Sequence, residues 1–158
     1  MNLRMMSAAV LAAALVVGGG LASADMSRPV ISAFKGQLVV SKDELPEGKN
    51  DKDTIAKIKA AKVAALTGEA QEDVTYWNFH YTAFLSKTGD TTLKMEFYRD
   101  GKQFVADKTL DGVDPKSSVL SGDISINEDE GLAKGKTYTV KLVNAQDQTV
   151  ASTPLTMK

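Results

Sequence analysis

Residues 132–143 read Leu132-Ala133-Lys134-Gly135-Lys136-Thr137-Tyr138-Thr139-Val140-Lys141-Leu142-Val143. Tyr138, Val140 and Leu142 alternate with Thr139 and Lys141. A period of two puts the apolar set on one face, so this stretch predicts a strand with one buried side. The same alternation recurs upstream. Across residues 74–85, Trp77, Phe79, Tyr81, Ala83 and Leu85 take one parity, and Tyr76, Asn78, His80, Thr82 and Phe84 take the other. Residues 91–98 form a further strand with Leu93, Met95 and Phe97 inward. Residues 103–108, 119–126 and 149–157 complete the series. Asp100-Gly101 is a strong hairpin signal because both positions tolerate positive φ. A two-residue loop there sets Phe97 opposite Phe104 on one apolar face. Pro154 cannot donate to a ladder, so the last strand is expected to be an edge or to be broken there.

Leu132 and Gly135 precede Tyr138 at a spacing that resembles the tyrosine corner of immunoglobulin-like sandwiches, in particular the fibronectin type III group. In such a corner a loop of the form Leu-x-Pro-Gly-x-x-Tyr enters a central strand, and the phenol hydroxyl bonds back to loop backbone. The resemblance implies a mainly β, antiparallel, immunoglobulin-like sandwich. It also implies that Trp77, placed on an early strand ahead of the corner, packs in the core beside Val140. Two features depart from the pattern: Lys134 stands where the family usually has proline, and a helix is inserted ahead of Trp77. No activity follows from the resemblance, since the fold hosts many functions.

The chain has 158 residues, 43% apolar and 25% charged, with a formal net charge of −1. These are the values of an ordinary globular domain, and they give no basic surface for nucleic acid. There is no cysteine, which rules out disulfides, thiol catalysis and thiolate metal sites. Residues 1–24 have the form of a secretory signal: Arg4, an apolar run over residues 8–17, three glycines, then Ala22-Ser23-Ala24. Cleavage after Ala24 leaves residues 25–158 as one exported domain, periplasmic or secreted, with no membrane span after cleavage.

Residues 30–40 are expected to be the first strand, with Val30, Phe34, Leu38 and Val40 on one parity and Gly36 as a bulge. Residues 42–53 are rich in charge and predict a solvated loop. Residues 54–66 predict the inserted helix, at about 53–67 with its flanks. Asp53 would be the N-cap, and Gly68 would lie just past the end.

Chemistry-bearing motifs are sparse. His80 is the one histidine, and no Gly-x-Ser-x-Gly elbow accompanies it. The carboxylates of residues 43–53 and 127–130 lack calcium-loop spacing. No phosphate loop or dinucleotide glycine pattern occurs. No catalytic residue, metal or cofactor is therefore expected. Tyr76, His80, Phe84 and Tyr98 share outward parities and are the candidate binding patch, unless the inserted helix covers that face. The expected function is a non-enzymatic binding or interaction module of the bacterial cell envelope, contacting protein or polysaccharide. The alternatives are a small periplasmic hydrolase or metal-handling protein using His80 and nearby carboxylates, and a structural subunit of an envelope assembly. A cleft gathering His80 with two or more carboxylates would favour the first alternative.

Overall fold

The structure, a computed structural model, describes residues 26–158. The expected leader lies outside the described residues. These residues are mainly β, with two α-helices and two sheets sharing one apolar core, an arrangement consistent with a β-sandwich.

Helix α1 spans Arg28–Phe34, where a strand was expected. Pro29 at its first turn has the φ a helix start needs, and Ser27 precedes it as N-cap. Val30 and Phe34 are four residues apart, which satisfies helical and strand periods alike. Both are buried against the outside of a sheet. After Gly36, at φ +80°, the chain enters strand β1, Leu38–Ser41. Leu38 and Val40 face the core between the sheets, while Val39 faces the helices.

Helix α2 spans Asp51–Ala61, shorter than expected and capped by Asn50 rather than Asp53. The Asp53 amide donates to the Asn50 side-chain oxygen at 3.0 Å. The helix ends early because Ala65–Leu66 are drawn off as β2, pairing parallel with the last strand opposite Thr156 and Met157. Gly68 is then not a helix cap. A Cβ there would sit 2.9 Å from the Trp77 indole nitrogen, so glycine is what lets the chain pass over the tryptophan.

The remaining strands are β3 (Glu69–Gln71), β4 (Val74–Phe84), β5 (Thr92–Arg99), β6 (Gln103–Asp111), β7 (Val119–Asn127), β8 (Lys136–Val143) and β9 (Thr149–Met157). In sheet one, β4 pairs with β7 on one side and with β1 and β3, end to end, on the other. Sheet two runs β2-β9-β8-β5-β6. Pro154 lies on β9 between two short attachments on its outer edge, the bridge Gln37–Ser152 and the β2 pairing. A residue without an amide hydrogen sits in the unpaired gap.

Trp77, Tyr81, Met95, Phe97, Val140, Leu142 and Leu155 fill the space between the sheets. The corner residues close one end. The Ala133 amide donates to the Tyr138 hydroxyl at 2.8 Å, and the Gly135 amide, at φ +81°, donates to the Met157 carbonyl at 2.6 Å. Leu132 and Tyr138 are buried.

The hairpin after β5 corrects the expected register. Arg99 pairs with Gln103 across a three-residue loop, and a bulge between Phe97 and Tyr98 restores the alternation. Phe97 therefore faces Ala106, while Phe104 pairs with Tyr98 on the outer face and is 51% exposed. One extra loop residue shifts the partner parity and turns Phe104 away from the core.

Candidate functional site

The outer face of β4 grades from apolar to polar along its length. Residues directly paired across strands point to the same side, so the register defines rows. Phe84 and Val119 form one row, covered by α1 and α2. Val39, Thr82 and Ser121 form the next, and Ser41, His80 and Asp123 the one after. Beyond them lie Asn78 with Ser125 and Tyr76 with Asn127.

The two middle rows floor a cleft of about 400 Å³. Met26, Ser27 and Val30 of the α1 segment form one wall. Residues 44–48 of the β1–α2 loop form another, and Asp51 and Thr54 of α2 complete it. The floor is His80, Thr82 and Ser121. Glu44, Glu47 and Asp51 thus bring three carboxylates to a cavity that also holds the one histidine.

This wall is knitted by short polar contacts. Ser27 Oγ donates to Asp51 at 2.6 Å and ties α1 to α2. The Gly48 amide donates to Thr54 Oγ1 at 2.9 Å, and the Lys49 amide donates to Asp53 Oδ2 at 2.9 Å. The Lys49 amide holds the Asp53 carboxyl below its ordinary range, and the Lys57 ammonium 3.5 Å away adds to the effect. Gly48 has room for nothing larger, since a Cβ would meet the Thr54 nitrogen at 2.3 Å.

His80 is 6% exposed, and its Nδ1 lies 2.9 Å from Asp123 Oδ1, whose own side chain is 76% exposed. The pair orients the imidazole on the cleft floor. Among the described residues no group of three or more histidine or acidic side chains is arranged to hold a metal ion.

The four residues of the candidate patch do not form one surface. His80 lines the cleft. Phe84 is fully buried under the helices, its ring 5.1 Å from that of Phe34. Tyr76 is half-buried near the start of β4. Tyr98 belongs to the other sheet, where it meets Phe104 edge-on at 5.9 Å and Lys141 at 4.4 Å. The Tyr98 hydroxyl donates to Glu96 at 2.5 Å, which pushes its pKa up to about 12. The structural residues Trp77, Phe97, Leu132, Tyr138 and Val140 are all buried, and Gly135 turns the corner loop.

The cleft exists only because residues 28–34 are a helix, where strand periodicity was equally well satisfied. The signal was present in Ser27 and Pro29, a cap followed by a helix-start proline, just ahead of Val30 and Phe34. The loop residues Glu44, Leu45 and Glu47 carried no local mark, since a wall exists only once α1 stands opposite.

No protein-family model matches the chain, and no curated protein matches it significantly. Among the described residues no helix is long and apolar enough to cross a membrane.

Proposed function

We propose that this chain is an exported, non-enzymatic binding module of the bacterial cell envelope, built on a fibronectin type III-like sandwich. The strand orders support the fold: β7-β4 with an interrupted first strand in one sheet, and β9-β8-β5-β6 in the other. The Tyr138 corner and the buried Trp77 support it as well.

The observation that carries the binding reading is the cleft over sheet one. Its carboxylates and hydroxyls accept and donate hydrogen bonds, and Val30, Leu45 and Met26 offer apolar surface beside them. That mixture suits a sugar unit, whose hydroxyls meet the acceptors and whose ring C–H face meets the apolar wall. A polysaccharide of the envelope is the proposed ligand. An array of envelope glycans probed with residues 25–158 tests this. Binding is expected to fall about tenfold in Glu47→Gln, the scale of one charge-assisted hydrogen bond. Retention of full affinity in that variant would remove the cleft from the reading.

A hydrolytic reading has a specific observation in its favour. The cleft gathers His80 with three carboxylates, and the His80–Asp123 pair has the geometry of the orienting half of a catalytic triad. Ser121 stands one row away on the same face. Asp123 is mostly in water, however, where its charge is screened and its hold on the imidazole is weak. Turnover of a p-nitrophenyl ester that disappears in both His80→Ala and Ser121→Ala would favour the hydrolase over the binding module.

A further inference from the structure

The cleft over sheet one has an uneven charge. Its lining carries Glu44, Glu47 and Asp51 and neither lysine nor arginine. Asp51 already accepts the Ser27 hydroxyl. Glu44 and Glu47 are exposed at the rim, and among the described residues neither side chain has a hydrogen bond or an ion pair. Lys57 reaches this loop, but its ammonium donates to the Glu47 carbonyl at 3.1 Å and lies 3.5 Å from Asp53. Two carboxylates therefore face one cavity whose lining has no basic side chain but His80, and their fields add there.

Acidic side chains on a rim do not make a site, since solvated loops carry them everywhere. The floor supplies the second observation. Thr82 is 1% exposed and stands on the outer parity of β4 beneath the cleft. Among the described residues its hydroxyl makes no hydrogen bond. A hydroxyl withdrawn from bulk water in this way needs a partner within the cleft. His80 is two residues away on the same face, and its Nδ1 is engaged by Asp123. A carboxylate only accepts, so Nδ1 carries the hydrogen and Nε2 of the neutral ring is an acceptor. Nε2 has no partner among the described residues. Tyr81 also buries a hydroxyl without a partner, but it faces the other way, into the space between the sheets.

We propose that the cleft takes a hexose unit carrying a free amine, whose ammonium is held by Glu44 and Glu47 while its ring hydroxyls pair with Thr82 and donate to His80 Nε2. The inference rests on the glycan reading of the cleft and narrows it to a cationic sugar. A lysine side chain would satisfy the rim but bring only methylene groups to Thr82 and His80, leaving the floor unpaired. A neutral or N-acetylated sugar would satisfy the floor and leave the rim charges uncompensated. An amino sugar does both, and its ring C–H face meets Val30 and Leu45 between them. Exposed ion pairs are individually weak, so the amine sets selectivity and the floor supplies much of the affinity.

The test is calorimetric titration of residues 25–158 with a glucosamine trimer, an N-acetylglucosamine trimer and trilysine. The glucosamine trimer is expected to bind about tenfold more tightly than its N-acetylated counterpart at low salt, the scale of two exposed ion pairs. Raising salt from about 0.01 M to about 1 M shrinks the Debye length from about 30 Å to about 3 Å, and the ratio falls toward one. It falls in the same way in the double variant Glu44→Gln/Glu47→Gln. Thr82→Val, which is close to isosteric, weakens both trimers about fivefold, the scale of one neutral hydrogen bond, and leaves their ratio unchanged. Equal or tighter binding of the N-acetylated trimer, still weakened by Thr82→Val, would overturn the amine and leave the glycan reading standing. A preference that survives Glu44→Gln/Glu47→Gln, or trimers indifferent to Thr82→Val, would overturn the placement. Trilysine binding as tightly as the glucosamine trimer would assign the cleft to a basic peptide and overturn both readings, as would no binding of any probe at millimolar concentration.

Discussion

Phe84 on β4 and Phe104 on β6 both stand on the outer parity of a sheet, yet one is fully buried and the other is 51% exposed. The outer face of sheet one is covered by α1 and α2, which lay Val30, Phe34 and Ile58 over Phe84, Val39 and Val119. Among the described residues the outer face of sheet two has no such helical cover, and Tyr98 there meets the Phe104 ring and the Lys141 ammonium. The covered face has a second core and, where the cover lifts away from the polar rows, a cleft. The bare face has a small aromatic cluster. Recognition of a small ligand needs concavity, and here concavity comes from the segment laid over the sheet rather than from the sheet itself.

The comparison can be broken most directly by truncation. Phe84→Ala removes a large ring from the second core and is expected to cost about 3 kcal/mol in urea denaturation. Phe104→Ala is expected to change stability by no more than about 0.5 kcal/mol. Equal costs for the two would mean that the helices do not seal the face. A smaller effect belongs to the end of the sandwich that both sheets share. Tyr138→Phe strips the Ala133 amide of its acceptor and is expected to cost about 1 kcal/mol by the same measurement. An unchanged transition would sever the corner from the stability of the fold.

The smallest expected effect sharpens the bare face and depends on pH. The hydrogen bond to Glu96 raises the Tyr98 phenol from its ordinary 10.0 to about 12. A phenol raised on folding contributes stability that is fully present below its unfolded pKa and lost as pH rises through its folded one. Wild-type stability should therefore decline between about pH 10 and 12, and Glu96→Gln should show a shallower decline. Tyr81 is also pushed up, by burial first and by the Asp123 charge second, so it contributes in the same sense in both proteins. The difference between the two curves isolates Tyr98. Identical slopes would remove the Glu96 contact as a stabilising feature of that face.

Much of the architecture was legible from residue order. The strands around Trp77, Met95, Ile124, Val140 and Leu155 were readable because an alternating pattern is local and each side chain declares its own side. The corner was readable from Leu132, Gly135 and Tyr138. The candidate site was legible only through His80. Its walls come from α1, the β1–α2 loop and the start of α2, and these meet His80 only after the chain has crossed the outer face of β4.

By itself, the order of residues determined which strands carry an apolar side, where the corner falls, and that a helix interrupts the first part of the sheet. Periodicity is enough for that, because it records which faces must leave water. Only the tertiary structure decided that Val30 and Phe34 lie on a helix, that Leu66 joins β9, that Phe104 turns outward, and that Tyr81 buries an unpaired hydroxyl. A spacing of four fits two periods, a hairpin gains a residue without changing its composition, and an apolar face does not specify its cover. Those choices are settled by which surfaces find one another in three dimensions.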